Sequence, residues 1–364
     1  MGAVNLDNTG SGSAITLTSD GTSLLLDGTA IGGGGGGSSF TSIVENYSNG
    51  TAPSVTGNDS VGIGDNVTVS ANDSYAIGHY ATCAGALSIA LGLQANVTSG
   101  ASQAVALGDN ATAGAGTSGV ALGTSYVSAT DAFAAAIANN TSSYGATGSN
   151  SIAIGDLAKA TNSNAVCISN TSTASASNSA VLGGSSGTAS ANGSVALGGS
   201  SNVADGIYST AKGYYGNANG IRLKHATGVY PNQQGAYYVL GHTTSDATPI
   251  ALNTSVWTPN ATNQVVLPNN SAYFFSGTCI ARQQAADGTD VGAWEFKGVI
   301  RREANAGTTT LIKSTIDDFN VPTGWALALS ADTTNGCLKV QATGVASTDI
   351  RWVATVQTSE VTYA

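Results

Sequence analysis

Small and apolar residues alternate in a five-residue motif that returns through the middle of the chain. The motif reads small, apolar, small, apolar, glycine, as in Ser151-Ile-Ala-Ile-Gly155. Its last position recurs every 14 to 17 residues, and a regular period of this kind is the signature of a solenoid. That position is occupied by Gly64, Gly78, Gly92, Gly108, Gly123, Ala138, Gly155, Ser169, Gly183 and Gly198.

The length of the period predicts the kind of solenoid. Each repeat is long enough for two short strands and two tight turns, and too short for a helix and a strand with their connections. Alternation places Ile152 and Ile154 on one face of the strand, with Ser151 and Ala153 on the other. We expect the branched face to fill the interior of a β-roll and the small face to admit a neighbouring backbone. A roll this thin has little core, which favours several chains packed side by side.

The pattern changes near Gly235, where longer alternating segments begin and all four tryptophans of the chain are found. Alternation puts Trp294, Phe296 and Ile300 on one face of a strand. Eight or nine such strands, separated by turn sequences, predict an antiparallel sandwich of the jelly-roll class. The clearest of these strands span residues 273–280, 291–300, 324–329 and 349–356.

The start of the chain carries two short strand candidates, residues 14–18 and 23–27, and then six consecutive glycines from Gly32 to Gly37. Such a glycine run is typical of a hinge. We therefore divide the chain into an N-terminal segment, a glycine-rich linker and lead-in, the β-roll, a neck or cap, and the sandwich. Their predicted ranges are 1–31, 32–59, 60–213, 214–235 and 236–364.

Charge is distributed unevenly along the 364 residues, whose formal net charge is −10. Ten acidic residues and no Lys or Arg precede Lys159, and eleven of each sign are found from Lys159 onward. Nucleic acid and anionic membrane are therefore unexpected partners for the first half. The N-terminus lacks the features of a secretory signal, and no run approaches 18 apolar residues, so we expect no membrane insertion.

Residues that could carry chemistry are few and dispersed. His79, His225 and His242 are far apart, and the cysteines have no metal-type spacing. Cys83 and Cys167 are expected as small apolar residues, and Cys279 and Cys337 as buried thiols or, alternatively, a disulfide. The letters of Gly114 to Gly119 fit a dinucleotide fingerprint, but no helix pattern follows them. We expect no catalytic residue, no cofactor and no metal site.

Two sets of acidic residues bear on whether the chain is a glycosidase, because that chemistry needs two carboxylates facing each other across a groove. Asp317 and Asp318 are neighbours and would diverge. The acids Asp65, Asp109 and Asp156 follow the motif glycine and are repeat features.

The last domain offers the candidates for receptor binding, because aromatic faces beside charges suit sugar recognition. The alternative for each residue is core packing or a charge on an exposed strand face. The five candidates are Tyr237, Tyr238, Trp257, Tyr273 and Arg282.

The repeat and its following Gly-x-x-Ala-x-Ala segment, as in residues 108–113 and 155–160, resemble the head repeat of trimeric autotransporter adhesins. This resemblance implies a trimeric, left-handed parallel β-roll used for attachment. Those adhesins also carry an export signal and a C-terminal membrane barrel, and neither is expected here. We therefore expect the repeat to be used here in a protein that is not an autotransporter.

The last 130 residues or so resemble the C-terminal domain that follows such repeats in phage and prophage tail-fibre proteins. The resemblance rests on residues 267–271, 295–302, 331–336 and 350–355, and residues 1–31 resemble short attachment segments of phage fibres. It implies a homotrimeric virion fibre on the tail or capsid, assembled in the host cytoplasm. The fibre would join other virion proteins through residues 1–31 and contact a host surface glycan or protein with its head. Three alternatives stay open: a purely structural capsid or decoration fibre, a tailspike-like glycan depolymerase, and a cellular adhesin.

Overall fold

The computed structural model describes residues 4–6, 15–19, 24–26, 29–30, 50–136, 144–255, 257–286 and 288–363. The chain divides into two compact units, residues 1–114 and 115–364. Strands dominate both units, and among the described residues the single helical element is the 3₁₀ turn Ala306–Thr308. The predicted all-β class, with parallel coils and then an antiparallel domain, is confirmed.

The first unit opens with four short strands in an antiparallel meander. They are β1 (Val4–Leu6), β2 (Ile15–Ser19), β3 (Leu24–Leu26) and β4 (Thr29–Ala30), and each pairs with the next along the chain. Strands β2 and β3 confirm the two strand candidates of the sequence. The glycine run Gly32–Gly37, with its predicted hinge, lies outside the described residues.

From Ser54 onward, the first unit consists of coils of parallel strands. Three-residue strands stack in one sheet and two-residue strands in a second sheet, so that each coil contributes one strand to each. The stacking is in register, with Ala90 opposite Ala76. The strands are β5 (Ser54–Val55), β6 (Val61–Ile63), β7 (Thr68–Val69), β8 (Tyr75–Ile77), β9 (Thr82–Cys83), β10 (Ile89–Leu91), β11 (Asn96–Val97), β12 (Val105–Leu107) and β13 (Thr112–Ala113).

The second unit contains coils of the same design. Its long strands pair in parallel in one sheet and its two-residue strands pair in another. They are β14 (Val120–Gly123), β15 (Tyr126–Val127), β16 (Phe133–Ala136), β17 (Gly145–Ala146), β18 (Ile152–Ile154), β19 (Lys159–Ala160), β20 (Val166–Asn170), β21 (Thr173–Ala174), β22 (Ala180–Ser185), β23 (Thr188–Ala189), β24 (Val195–Ser200), β25 (Val203–Ala204) and β26 (Thr210–Tyr214).

The small residues of the motif face the interior of the coils, and the prediction about the two faces was wrong. Ser151 and Ala153 are fully buried, whereas Ile152 and Ile154 lie on the outside and are partly exposed. The physical reason is the narrow space between the two sheets of a coil. A Cβ added to Gly62, which points inward, would lie only 2.8 Å from a methyl carbon of Val55. Among the described coil residues, glycine, alanine, serine, cysteine and valine fill this interior, together with the buried Asn202, so the larger branched residues turn outward.

Inward serines also link one coil to the next. The Ser60 hydroxyl accepts a hydrogen bond from the backbone N–H of Ser74 at 3.1 Å, and the Ser88 hydroxyl does the same for Ala104 at 3.0 Å. The motif glycine permits this close stacking, since a Cβ at Gly78 would lie 2.1 Å from the carbonyl oxygen of Gly92.

The coil sheet of the second unit continues directly into the C-terminal domain. Strand β27 (His225–Tyr230) pairs in parallel with β26 and antiparallel with β28 (Gln233–Thr244). The position taken by Ser209 in the preceding coil is taken here by Lys224, which is fully buried and forms an ion pair with Glu360 at 2.8 Å. Burial lowers the pKa of Lys224, and the Glu360 carboxylate opposes that shift.

Nine strands in two sheets form the C-terminal sandwich, which confirms the predicted number. The large sheet has the order β28, β36, β31, β32, β33, all antiparallel. In the small sheet, β34 pairs along one edge of β35, and β29 and β30 share the other edge. The remaining strands are β29 (Ile250–Ala251), β30 (Val265–Val266), β31 (Ser271–Gln283), β32 (Val291–Arg302), β33 (Thr310–Asn320), β34 (Ala326–Asp332), β35 (Cys337–Thr343) and β36 (Ile350–Thr362).

Aromatic side chains fill the core between the two sheets. Trp352 stacks on Trp294 with ring centroids 5.3 Å apart and meets Trp325 at 5.6 Å. All three indoles are buried, as are Phe296 and Ile300 on the face that the alternation predicts. For β32, the inward face is therefore the face that the sequence indicated.

The four cysteines are buried free thiols. This confirms the small apolar role of Cys83 and Cys167, and it decides between the two alternatives for Cys279 and Cys337. Burial raises the pKa of Cys167 to about 11 and that of Cys279 to about 12. No helix in the described part of the chain is long and apolar enough to cross a membrane.

Candidate functional site

Three of the five binding candidates lie at the surface of the sandwich. Trp257 is 70% exposed and Tyr237 is 37% exposed, and Arg282 is exposed near the end of β31. Tyr237 lies beside His225 on the outer face of the large sheet, with ring centroids 6.5 Å apart. These three side chains are accessible to a ligand.

Tyr238 and Tyr273 are fully buried, so a receptor cannot reach them and their inclusion among the candidates was wrong. The Tyr238 hydroxyl donates to Glu360 Oε1 at 2.9 Å, beside a 2.7 Å hydrogen bond from Thr358 to the same oxygen. Burial, followed by the nearby Glu360 charge, raises the pKa of both phenols well above the ordinary value. Both rings pack in the core because they lie on the inward face of their strands.

The exposed Trp257 borders a hollow of about 680 Å³ on the outer face of the sandwich. Gly241 of β28 forms part of the floor, where the lack of a side chain leaves space. The walls that bear on binding are formed by Arg222, His242, Thr254, Trp257 and Arg351.

Two buried asparagines hold the loop that presents Trp257. Asn253 accepts the Ser255 N–H at 2.8 Å and donates to the carbonyl oxygen of Trp257 at 3.1 Å. Asn263 donates to the Thr258 carbonyl at 3.0 Å. The loop is joined to β28 by the Gly241 N–H, which donates to the Asn253 carbonyl at 2.8 Å. The backbone at Trp257 and Thr258 is therefore held by hydrogen bonds from buried side chains.

Two arginines, Arg222 and Arg351, line the hollow, and Arg282 lies beside Arg351. Arg351 is exposed on β36, and its cross-strand partners are Thr243 and Arg282. Arg222 reaches the hollow from the segment before β27, with its guanidinium 4.9 Å from the ring centroid of Tyr208. Among the described residues, none of these three arginines lies within salt-bridge distance of a carboxylate. Asp349 shares a neighbouring hollow of about 380 Å³ with Arg282 and Arg351.

Two polar atoms at this hollow are buried without a hydrogen-bond partner. They are the hydroxyl of Thr254, a residue only 4% exposed, and Nε of Arg222. Buried polar groups are nearly always paired in folded proteins, so unpaired ones at a hollow indicate a ligand contact. The arginines and the unpaired polar atoms therefore belong to residues that line the same hollow.

The three histidines are divided between the two units. His79 forms an exposed contact with Asp65 at 3.1 Å in the first unit, while His225 and His242 lie in the second. No group of His, Cys, Asp and Glu in the described ranges could hold a metal ion.

The two acidic sets weighed for a glycosidase lie on different elements. Asp317 and Asp318 are both exposed on β33, and Asp317 lies opposite Glu295 on β32. Asp65 accepts the N–H of Thr51 at 2.6 Å, as a residue of a coil turn.

Sequence reasoning missed Arg222, Thr254 and Arg351. Arg351 alternates with the inward residues Ile350 and Trp352, so its outward direction could be predicted. Its proximity to Arg222 could not, because the pairing of β28 with β36 joins segments more than 100 residues apart.

No protein-family model matches the chain, and no curated protein matches it. Among solved structures, it is similar to the crystal structure of the Acinetobacter phage vB_ApiP_P1 tailspike protein, with 12% identity and a TM-score of 0.22 over 87% of this chain and 60% of that one. It is similar also to the Acinetobacter baumannii phage AM24 tailspike protein, with 9% identity and a TM-score of 0.21 over 86% of this chain and 59% of that one. The chain thus spans about three fifths of each tailspike.

Proposed function

We propose that this chain is a fibre protein of a bacteriophage virion, in which three copies assemble through their coils and the sandwich attaches to a glycan or protein of the host surface. Residues 1–31 would join the fibre to other virion proteins. The mechanism is attachment by three weak sites on one support, which gain avidity without a catalytic step.

One observation carries the proposal: the coils turn their large apolar side chains outward. In the first unit, Ile89 and Leu91 are 42% and 39% exposed, and in the second unit Leu182 and Leu197 are 41% and 37% exposed. They stack in columns, because the strands are in register. Exposed apolar columns of this kind mark a surface that another protein covers.

A second copy of the same chain is the occupant that fits these columns. Homo-oligomers with closed symmetry are the common arrangement, and copies of one repeat match each other in period. Complete burial of a leucine or isoleucine side chain contributes about 1.5–3 kcal/mol. Even a fraction of that gain, repeated in each coil, suffices for stable association. The number three is taken from the resemblance of the repeat to trimeric adhesin heads.

Sedimentation of the purified chain tests the assembly. We expect a stable trimer, and a compact, stable single chain would overturn the proposal.

Attachment needs a second experiment, in which purified protein competes with phage for host cells and a labelled antibody locates the chain on the virion. We expect the protein to reduce adsorption and the label to mark the outer part of the tail. Label on the capsid without any effect on adsorption would support the purely structural fibre instead. Release of reducing sugar from the host envelope would support the depolymerase.

A further inference from the structure

We infer that the hollow bounded by Arg222, Thr254, Trp257 and Arg351 binds an acidic saccharide. The inference rests on the proposed attachment function and deepens it by naming the chemical class of the receptor. Three independent features of the hollow lead to this class: a flat apolar surface, unpaired positive charge, and buried polar atoms without partners.

The flat apolar surface is the indole of Trp257. The side chain is 70% exposed, yet hydrogen bonds to the buried Asn253 hold its loop in place. An exposed indole whose backbone is held by a hydrogen bond is already positioned for a ligand, so binding loses little conformational entropy. The C–H face of a pyranose ring is flat and apolar enough to pack on it.

The positive charge comes from two arginines that face the same hollow. Arg222 and Arg351 have no carboxylate partner among the described residues. Like charges directly opposite on neighbouring strands are unfavourable, and Arg351 lies opposite Arg282. A planar guanidinium matches a carboxylate with two parallel hydrogen bonds. A ligand carboxylate here would relieve the repulsion and gain that geometry.

The unpaired atoms indicate that the ligand also carries hydroxyl groups. The Thr254 hydroxyl and Arg222 Nε are both buried and lack partners in the protein. Arg222 Nε is a donor, and the threonine hydroxyl can donate or accept. A sugar hydroxyl supplies both functions at short range, whereas a simple inorganic anion only accepts.

Nucleic acid would combine rings with negative charge too, but it fits this chain less well. The part of the chain that carries the hollow has eleven residues of each sign from Lys159 onward, so it has no net positive charge that would attract a polyanion at long range. A saccharide with one carboxylate per ring or per few rings carries a lower charge density and needs only the local arginines. The geometry therefore favours the acidic saccharide.

The test uses the full chain and two probes that differ in charge alone. Oligogalacturonate has a carboxylate on every ring, and its methyl ester has the same rings without the charge. Titration calorimetry should detect oligogalacturonate, with at least tenfold weaker binding of the ester. Inorganic polyphosphate serves as a polyanion without sugar rings and should bind weakly.

Single substitutions then locate the site. Trp257→Ala and Arg351→Gln should each weaken oligogalacturonate binding at least tenfold, because both side chains are exposed and their loss leaves the core intact. Arg301→Gln is the matched control: Arg301 is exposed on β32, 3.5 Å from Glu303, and its loss should change binding less than twofold. Thr254→Val keeps the shape, and we expect weaker binding with unchanged thermal stability.

Several results would overturn the inference. These are equal binding of the acid and its ester, no binding of either, binding that is insensitive to Trp257→Ala, and polyphosphate binding as strong as oligogalacturonate binding.

The adsorption assay separates this inference from the proposed function. If Arg351→Gln and Trp257→Ala chains assemble and block adsorption like the wild type, the acidic-saccharide site is wrong and the attachment fibre stands. If the wild type binds oligogalacturonate but never blocks adsorption, the fibre proposal is wrong and the site stands.

Discussion

The coils and the sandwich solve the burial of apolar residues in opposite ways, although both are built from alternating strands. In the coils of the second unit, Ala153 and Ala196 face the interior and the branched residues beside them face outward. In the sandwich, Trp294 and Trp352 face the interior. Alternation of small and large residues is thus compatible with either face being inside. The distance between the two packed sheets decides which face of a strand lies inside.

The difference has an energetic consequence. A sandwich core of indoles and phenyl rings gives one chain a large apolar burial of its own. An interior of alanine and serine gives little, and the remaining apolar surface of the coils is available only to another chain. We therefore expect the coils to depend on assembly and the sandwich to be stable by itself.

The largest expected effect is on assembly, and it tests the claim that the coils depend on another chain. The double substitution Leu182→Asp and Leu197→Asp places charges on the outward column of β22 and β24. We expect association of the chains to weaken on the order of 10,000-fold, equivalent to about 5.5 kcal/mol, as measured by sedimentation.

The matched control places the same charges on the other sheet. Thr173→Asp and Thr188→Asp lie at outward positions of β21 and β23, where the native residue is already polar. These chains should assemble normally. Equal loss in both double variants would show that the leucine column has no special role.

The next effect is on the sandwich alone. Trp352→Ala removes a fully buried indole that contacts two other tryptophans, and we expect a loss of about 3–5 kcal/mol in the free energy of unfolding. Trp257→Ala should change stability by less than about 0.5 kcal/mol, because its side chain is exposed. Thermal and denaturant unfolding measure both, and a stable Trp352→Ala chain would contradict the assignment of the core.

A third prediction concerns the junction between the coils and the sandwich, where Lys224 occupies the position that Ser209 has in the preceding coil. Lys224→Met leaves the Glu360 carboxylate buried without its cation, which should lower the free energy of unfolding by about 3 kcal/mol. Adding Glu360→Gln removes the uncompensated charge and should recover a large part of that loss. Additive losses in the double variant would argue against a coupled pair.

The smallest effect is a pH dependence in the sandwich. Burial would raise the pKa of Asp332, but hydrogen bonds from the Asn335 side chain and backbone, Gln264 and Thr334 outweigh it, and the net pKa is lowered. The stability from this carboxylate is therefore present above the unfolded carboxyl pKa of about 3.9, and is lost as the pH falls through the lower folded pKa.

Urea unfolding of the wild type and Asp332→Asn tests this pH dependence. At pH 7 the variant should be less stable by about 1 kcal/mol, and at pH 2.5 the difference should be much smaller. An unchanged difference at both pH values would show that the charge is not involved.

The period, most strand positions and the inward face of β32 could be predicted, because spacing and alternation along the chain determine them directly. The repeat copy that ends at Ala138 was wrong, since the register places Ala136 opposite Gly123. The inward face of the coils could not, because large apolar residues are usually inside and only the distance between the sheets reverses that rule. For Ile152 and Ala153 the alternation was correct and the direction was not.

The candidate site was predictable in part for a related reason. Trp257 and Arg282 lie in segments whose composition alone suggests recognition. Arg222 and Arg351 join them through pairing of distant strands, and Thr254 matters only because its hydroxyl has no partner. Neither property is visible in the order of the residues.

The stacked coils pair strand by strand with their immediate neighbours, and their turns tolerate many residue types. At one turn position, where the backbone has a positive φ, the second unit has Leu157, Thr171, Ser186, Ser201 and Tyr215. Removing the 15 residues from Ala180 to Ser194 would join Ser179 to Val195, so that an equivalent strand follows an equivalent serine. Recombination within the gene can therefore add or remove whole turns, and selection can adjust the reach of the stack in steps of about 4.8 Å without inventing a new fold.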